Sequence, residues 1–279
     1  MSLEKPLVQW MTERHRIYLK RASHSPWPWT KDPVLQKYKF TNVYRELDRT
    51  THWFRVNFRD EWQHRDEVIL GTIIFRWFNR IETGERLLSA GLLTKWNTRR
   101  AESVLRPFKP WTTGAYIISS PHGFDKLTGL CQYVDEVWSE RKSIIKWFRK
   151  GQSLESAVNM LSGFRGLSGF MAYEIASDLS HTWALKYAPD KMTWANPGPG
   201  ARRGLNRLHG RDVRARGPKA QLIQEMRELL PRCDKSLTKR GFPSLTMREI
   251  EHSLCEFDKY QRVLLGQGRP RGVYRNKEK

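Results

Sequence analysis

Cysteine is scarce in this 279-residue sequence, which contains Cys131, Cys233 and Cys255 and no CxxC pair. Disulfide frameworks and zinc sites need paired or closely spaced cysteines, so an odd number of scattered ones indicates neither. Unpaired thiols are typical of a reducing compartment. The sequence therefore predicts no metal site and no disulfides.

Long hydrophobic runs are also lacking, and the mean hydropathy of the chain is −0.68. A membrane-spanning helix needs about 20 predominantly apolar residues, and no such run occurs. Residues 1–16 (MSLEKPLVQWMTERHR) do not contain the apolar segment of a secretory signal peptide. We therefore expect a cytoplasmic protein that has no membrane partner.

Acidic residues are few compared with basic ones: 29 Asp and Glu stand against 50 Lys and Arg, which gives a formal net charge of +21. Such an excess attracts polyanions, which release counterions on binding. The alternatives are a ribosomal-type protein, a surface adapted for solubility and a binder of anionic membranes. Because 12 Trp, 12 Phe and 9 Tyr indicate a folded core and no amphipathic anchor is evident, the composition favours a nucleic acid as the partner.

Alternating patterns typical of strands are scarce, whereas helical spacing recurs along the chain. Residues 111–120 (WTTGAYIISS) are compatible with a short strand or hairpin. Thr246 and Glu249 form a capping box at the start of a predicted amphipathic helix. We expect a mostly α fold in which residues 1–265 form a single compact helical domain and residues 266–279 form a basic, flexible tail.

Two segments break the helical pattern. Residues 22–33 contain three prolines and are not expected to form a regular helix. Residues 195–218 are rich in Gly, Pro and Arg and are predicted to form a loop. Glycine lets the backbone approach a ligand closely, and arginine forks grip phosphate oxygens, so we expect this loop to contact DNA; the alternative is a solvated basic loop. Its candidate DNA-binding residues are Gly198, Gly200, Arg202, Arg203, Arg207 and Arg211.

A third segment, residues 167–182, combines a possible hairpin with a carboxylate. Leu167 and Gly169 form a Leu-x-Gly turn before a predicted helix, an arrangement in which turn amides can hold a DNA phosphate. Asp178 follows on that helix, and Asp190 lies 23 residues after Leu167. Either carboxylate is a candidate general base. The alternative is a tight helix–helix connection with a capping or surface carboxylate.

Polar residues also interrupt two aromatic-rich segments, residues 40–54 and 75–80. A charge in such surroundings is costly unless it is paired or meets a ligand. One hypothesis is an Arg–Asp network that pins two helices, and the other is a set of arginines that reaches an anionic group of the substrate. The candidate substrate-binding residues are Asn42, Arg45, Asp48, Arg49, Arg76 and Asn79.

Several enzyme motifs do not occur. The sequence contains no GxxxxGK[ST] motif, so it does not resemble a P-loop kinase, and no HxE…CxxC motif of the zinc deaminases. Cys255 has no histidine partner at the spacing that nucleophilic cysteine catalysis would suggest.

A set of short motifs nevertheless resembles one family. They are, in order, ERHRIYLKR, PWPWTKDPVLQKYKFTNVYRELDRTT, FRWFNR, TTGAYII, GFMAYEIASDL, TWANPGPGARRGLNRL and EHSLCEFDKYQR. The combination, which spans residues 13–262, resembles the phage and bacterial α-glutamyl/putrescinyl thymine pyrophosphorylases, also called amino acid:DNA transferases. The same region is known as a helical domain associated with 5-hydroxymethyluracil DNA kinases.

The resemblance implies a divergent helix-hairpin-helix DNA-glycosylase fold and a role in thymine hypermodification. In that pathway a separate kinase phosphorylates 5-hydroxymethyluracil in DNA, and the family member replaces the phosphate or pyrophosphate with an amine. The co-substrate would be an amino acid or putrescine, without a further cofactor. The implied partners are DNA and the kinase, and the implied setting is the cytoplasm of a bacterial host, with the chain encoded by a virus.

The resemblance leaves the catalytic carboxylate open. In base-excising relatives of this fold the carboxylate follows the hairpin at about the spacing from Leu167 to Asp190, yet Asp178 lies within the motif GFMAYEIASDL. The position of the Schiff-base lysine in bifunctional glycosylases falls near Tyr173, so lyase chemistry is not expected. Tyr173 and His181 are further candidate substrate-binding residues. A glycosylase for a modified base and a non-catalytic DNA-binding partner of the kinase are the alternative functions.

Overall fold

The structure, a computed structural model, describes residues 2–113 and 123–274 and is mostly α-helical, as predicted. Within these residues no strand forms, and one isolated antiparallel bridge joins Tyr38 to Val273. In the segment predicted as a strand or hairpin, residues 114–120 lie outside the described residues. Numbered in chain order, the helices are α1 (Lys5–Ala22), α2 (Pro33–Lys37), α3 (Arg49–Phe54), α4 (Asp60–Trp62), α5 (Glu67–Phe78), α6 (Ile81–Ser89), α7 (Thr98–Leu105), α8 (Lys126–Ser139), α9 (Arg141–Phe148), α10 (Leu154–Ser162), α11 (Gly169–Leu179), α12 (Pro199–Leu208), α13 (Lys219–Thr238) and α14 (Met247–Leu264).

The helices group into two compact units. The terminal unit consists of Met1–Asp48 and Met192–Lys279, and the central unit consists of Arg49–Lys191. Across the residues that the structure describes, no helix is both long enough and apolar enough to span a membrane.

The terminal unit contains α1, α2, α12, α13 and α14. Helix α1 buries an apolar stripe that includes Leu7, Trp10 and Ile17, spaced so that they share one helical face. The capping box at the start of α14 is confirmed, because the Thr246 amide donates to Glu249 Oε2 at 2.9 Å while the Thr246 hydroxyl receives the Arg248 amide.

Part of the predicted loop 195–218 is a helix, α12. Pro199 stands in its first turn, where the missing amide hydrogen costs nothing. Glycine inside a helix is unfavourable by roughly 1 kcal/mol relative to alanine, but Gly200 and Gly204 let α12 pack closely on α14. Tertiary packing therefore overrides a local composition that is typical of loops.

The central unit contains α3 to α11. Helix α3 continues through a π-helical turn (Arg55–Arg59) into α4. Helix α5 is buried on every side from Val68 to Phe78, and α11 is buried from Met171 to Leu179. Polar residues on these two helices consequently lie in the interior, where they need partners.

Candidate functional site

Asp178 on α11 lies at the centre of a buried polar cluster in the central unit. Its side chain is 3% exposed and receives two hydrogen bonds from Arg76 on α5, Nε to Oδ2 at 2.5 Å and Nη2 to Oδ1 at 2.9 Å. This bidentate geometry is the strongest form of an Arg–carboxylate pair. Arg59, from the π-helical turn, places its Nη1 3.5 Å from Asp178 Oδ1.

The remaining donors of Arg76 also have partners. Its Nη1 donates to Asn79 Oδ1 at 2.8 Å, and its Nη2 donates to Thr51 Oγ1 at 2.9 Å. Asn79 occupies the left-handed region with φ 47°, where asparagine is tolerated better than most residues, and ends α5. We name Thr51, Arg59, Arg76, Asn79 and Asp178 the central cluster. It joins three segments of the central unit through charge-assisted hydrogen bonds.

Asp190, the other candidate carboxylate, lies at a helix start. Its Oδ1 receives the Leu154 amide at 2.7 Å, and its Oδ2 receives the Glu155 amide at 3.0 Å. These amides belong to the first turn of α10, whose own cap is Ser153. A carboxylate in this position satisfies donors that have no partner within the helix and interacts favourably with the helix dipole.

Tyr173 on α11 and His181 after its end differ in their exposure to solvent. Tyr173 is buried, whereas His181 is exposed just beyond the last helical turn, where its amide donates to the Asp178 carbonyl at 3.1 Å. Leu167 is buried, and Gly169 is the exposed first residue of α11. Since the Leu167 amide already donates to the Phe164 carbonyl, the turn is held by its own backbone.

Asn42, Arg45 and Asp48 belong to a separate network in the terminal unit. The Asn42 amide donates to Asp48 Oδ1 at 2.8 Å, and Arg45 Nη1 donates to Asp48 Oδ2 at 2.5 Å. The buried Arg14 of α1 donates to Asn42 Oδ1 at 2.7 Å and to the Phe40 carbonyl. Burial raises the pKa of Asp48 and lowers the pKa of Arg14 relative to their ordinary values. This network holds segment 40–48 on α1.

The candidates from segment 40–54 are divided between the two units. Asn42, Arg45 and Asp48 lie in the terminal unit, whereas Arg49 is the exposed first residue of α3 in the central unit. The Arg45–Asp48 pair, three residues apart, is readable from the sequence spacing. The contacts with Arg14 and Arg76 are not, because these partners come from other segments of the chain.

Two arginines of α12 and one of α14 converge on one buried carboxylate in the terminal unit. Asp258 of α14 is fully buried and receives Arg203 Nε at 2.7 Å and Arg207 Nε at 2.9 Å. Arg262 Nε lies 3.4 Å from the same carboxylate. Three guanidinium groups around one carboxylate leave a formal surplus of positive charge, and Arg203 and Arg262 remain about one third exposed.

The other arginines of segment 195–218 differ in their pairing. Arg211 makes a bidentate pair with Glu225, and this hydrogen bonding raises the pKa of Arg211. Arg202 is partly exposed, and Arg214 and Arg216 are exposed. Within the described part of the chain, none of these three makes an ion pair with a carboxylate. They are available for an external anion.

The predicted glycines play a packing role in addition to any ligand contact. A Cβ atom at Gly200 would lie 2.3 Å from Cys255 Sγ. Gly198, just before α12, donates its amide to Glu251 Oε1 at 3.2 Å. Burial raises the pKa of the Cys255 thiol to about 12, so the reactive thiolate is disfavoured at this position.

The sequence interpretation missed several buried charged residues. Arg14 lies three residues after Met11 and three before Ile17, and Asp258 lies four residues after Leu254. A charge on an apolar helical stripe is a detectable signal, since it must be paired in the interior. Glu174 is a further buried carboxylate, four residues before Asp178 on α11. Arg59 is harder to identify because the π-helical turn shifts the helical spacing around it.

Among the described residues, surface cavities lie within each unit. The cavity of about 640 Å³ in the terminal unit is lined by Glu13, Arg16, Asp32 and Arg240, among others, and these charges of both signs suit a small polar molecule. Cavities of about 270 Å³ and 300 Å³ lie in the central unit. None of the candidate catalytic, substrate-binding or DNA-binding residues predicted from the sequence lines these cavities. Among the described residues, no group of His, Cys, Asp and Glu side chains has the arrangement of a metal site.

Comparison with known proteins relates the chain to 5-hmdU DNA kinases. A family described as "5-hmdU DNA kinase, helical domain" matches residues 2–269. The 5-hmdU DNA kinase of Bacillus phage SP10 is 28% identical over 224 residues, which cover 70% of this chain and 34% of that protein. The chain therefore spans about a third of the length of this curated relative. No solved structure matches the chain.

Proposed function

This chain belongs to the family of the 5-hmdU DNA kinase helical domain, and from that premise we propose that it modifies thymine-type bases in DNA. The substrate in this proposal is 5-hydroxymethyluracil in DNA whose exocyclic oxygen has been phosphorylated or pyrophosphorylated. The chain replaces that group with an amine such as an amino acid or putrescine. DNA and a 5-hydroxymethyluracil DNA kinase are its proposed partners, and the proposed setting is the host cytoplasm of a phage infection.

The reaction is a substitution at the exocyclic carbon. The amine nitrogen forms a bond to the CH₂ carbon while the bond from that carbon to the phosphate oxygen breaks, and phosphate or pyrophosphate leaves with the electron pair. The attacking amine loses a proton to a base, for which Asp178 and Asp190 are the candidates. Arginine side chains can stabilise the leaving anion as its charge develops.

The observation that supports the proposal is the surplus of positive charge at α12. Arg203, Arg207 and Arg262 share the single carboxylate of Asp258. Arg202 precedes Arg203 in α12 and has no carboxylate partner among the described residues. Guanidinium groups that are held in place but incompletely neutralised suit phosphate oxygens. The surplus of positive charge supports binding to DNA. The amine transfer is proposed from the resemblance of the sequence motifs to the family.

A DNA-binding chain without catalytic residues is the second candidate. Both candidate bases already accept strong contacts, Asp178 from Arg76 and Asp190 from two amides of α10. Carboxylate oxygens that already accept these hydrogen bonds are less open to receive a proton directly from an attacking amine. This observation favours presentation of DNA to another enzyme.

Mass spectrometry of nucleosides tests the two candidates together. The chain is incubated with duplex DNA that contains phosphorylated or pyrophosphorylated 5-hydroxymethyluracil, with an amino acid mixture or putrescine, and the DNA is then digested. An amine-bearing nucleoside is the expected result. Release of a free base would instead indicate a glycosylase, and unchanged DNA that is still bound would leave the second candidate.

Substitution of the two carboxylates then identifies the base. Asp178→Asn and Asp190→Asn are compared with the control Asp125→Asn. Asp125 accepts amides at the start of α8, as Asp190 does at the start of α10. Substitution of the residue that acts as the base should lower the turnover of the protein about 100-fold or more. The Asp125→Asn variant should retain the turnover of wild type. If both Asp178→Asn and Asp190→Asn fold and retain full turnover, neither carboxylate is the base.

A further inference from the structure

Three aromatic rings of the terminal unit form a cluster that the proposed reaction does not use. Trp27 and Trp29 come from the proline-rich segment before α2, and Tyr274 comes from the segment after α14. The ring centroids are 4.9 Å apart for Trp27–Trp29, 5.8 Å for Trp27–Tyr274 and 5.5 Å for Trp29–Tyr274. We name these three residues the aromatic platform.

Backbone contacts hold the platform in place. Lys39 donates its amide to the Gly272 carbonyl at 2.9 Å, and Tyr274 donates its amide to the Lys37 carbonyl at 3.0 Å. The Trp29 indole donates to the Ser25 carbonyl at 2.9 Å. The segment 266–274, expected to be part of a flexible tail, is thus joined to the residues around α2.

The platform leaves one large ring open to solvent. Trp27 is 40% exposed, whereas Trp29 and Tyr274 are partly buried beside it. An exposed indole offers a wide apolar face that is unfavourable in water and that stacks well on planar partners. The neighbouring rings limit its movement, so little conformational freedom would be lost on stacking.

Positive charge surrounds the rings. The Arg21 guanidinium carbon lies 5.2 Å from the Trp29 ring centroid and 5.6 Å from that of Tyr274, and Lys39 Nζ lies 5.6 Å from the Tyr274 centroid. Residues 20–39 contain five Lys and Arg against one acidic residue, and residues 266–274 contain two Arg and no acidic residue. The acidic residue, Asp32, caps α2 and receives the Tyr260 hydroxyl. An anionic partner is therefore strongly favoured over a neutral or cationic one.

We propose that the aromatic platform binds a nucleobase of an unpaired DNA strand, with Trp27 as the stacking surface and Arg21 and Lys39 as phosphate contacts. Aromatic faces that alternate with cations are the means by which proteins hold single strands, since every base has a stacking face and every link has a phosphate. The inference rests on the proposed function in so far as DNA is the substrate. It adds that the chain holds a strand in which bases have left the duplex, as access to a base within DNA requires.

Oligonucleotides with and without bases test this proposal on the full chain. Fluorescence anisotropy compares a labelled thymine homopolymer with an abasic strand of the same length, which has the same phosphates. Wild type should bind the thymine strand more tightly. Trp27→Ala should lower the affinity for the thymine strand at least about fivefold and leave the abasic affinity unchanged, while Trp27→Phe should retain most of the binding.

Tyr187→Ala is the matched control, because Tyr187 is 84% exposed in the central unit and has Lys186 Nζ 5.5 Å from its ring centroid. It should bind both strands as wild type does. Thermal unfolding of Trp27→Ala and Trp27→Phe shows whether either variant has lost its fold.

Three outcomes would overturn the platform. The first is equal binding of thymine and abasic strands by wild type, and the second is an unchanged thymine affinity in folded Trp27→Ala. The third is that poly-glutamate, at an equal concentration of charge, competes for wild type as strongly as the thymine strand does. Binding would then depend on charge alone and not on the bases.

If base modification of duplex DNA persists in any of these cases, the proposed function stands and only the platform fails. If wild type binds no DNA, the proposed function fails as well.

Discussion

At the scale of single residues, Asp178 and Asp190 illustrate how similar carboxylates acquire different surroundings. Asp178 is buried between Arg76 and Arg59 in the central cluster, whereas Asp190 is partly exposed and binds amides at the start of α10. Loss of one partner from a buried ion pair leaves an uncompensated charge in the interior, which is far more costly than loss of a surface contact. The stability of the fold should therefore depend on the two residues unequally.

We predict that Asp178→Asn lowers the free energy of unfolding by about 3–5 kcal/mol, since both guanidinium groups lose their carboxylate. Asp190→Asn should cost about 1 kcal/mol, in the range of a lost helix cap. Chemical denaturation of the two variants measures the difference. Equal destabilisation would show that the central cluster contributes no more to stability than a helix cap does.

At the scale of elements, the contact of α12 with α14 determines the form of the arginine-rich segment. A Cβ atom at Gly204 would lie 2.3 Å from the Leu254 carbonyl oxygen, which is a backbone atom and cannot rotate away. Both glycines that face α14 are thus needed for close approach of the helices. This approach also brings Arg203 and Arg207 to the buried carboxylate of Asp258.

We predict that Gly204→Ala destabilises the fold by about 1–3 kcal/mol, the usual cost of overpacking, although alanine favours helix formation. Gly198→Ala is the control, because the nearest atom to its Cβ would be Glu251 Oε1 at 3.8 Å. Thermal unfolding measures both variants. A Gly204→Ala protein as stable as Gly198→Ala would contradict the close packing of α12 on α14.

At the scale of the whole molecule, the +21 charge includes both paired and unpaired groups. Arg211 is neutralised by Glu225 and Arg76 by Asp178. Arg214 and Arg216 are exposed and make no ion pair among the described residues. Only cations that are not already paired can release counterions in full when they meet a phosphate. The salt dependence of DNA binding should therefore reflect particular arginines rather than the total charge.

We predict that the triple variant Arg202→Gln, Arg214→Gln, Arg216→Gln reduces the slope of log affinity against log salt concentration by about 2–3. The control removes the same charge from α9 and the turn that follows it, where Lys142, Lys146 and Lys150 are exposed. Filter binding of duplex DNA at several salt concentrations measures both slopes. An equal loss in the two variants would indicate diffuse attraction instead of a phosphate site at residues 202–216.

The fold was predictable where local chemistry decides it. The apolar stripe of α1 and the Thr246–Glu249 box of α14 are readable from spacing, since both depend on residues within one or two turns. Helix α12 was not predictable in this way, because its two glycines are favourable only against the backbone of α14. The candidate residues Arg76, Asn79 and Asp178 were identified from the sequence, and the structure brings these three together.

The sequence by itself determined the helical class, the positive charge and the family to which the chain belongs, because composition, periodicity and short motifs are local properties. Only the tertiary structure decided which charges are neutralised. Asp178 meets Arg76 across 102 positions of sequence and Asp258 meets Arg203 across 55, so no spacing rule could pair them. In the interior a charge must find a partner wherever the chain brings one. Folding thus separates the arginines that hold the protein together from those that remain available to an external anion.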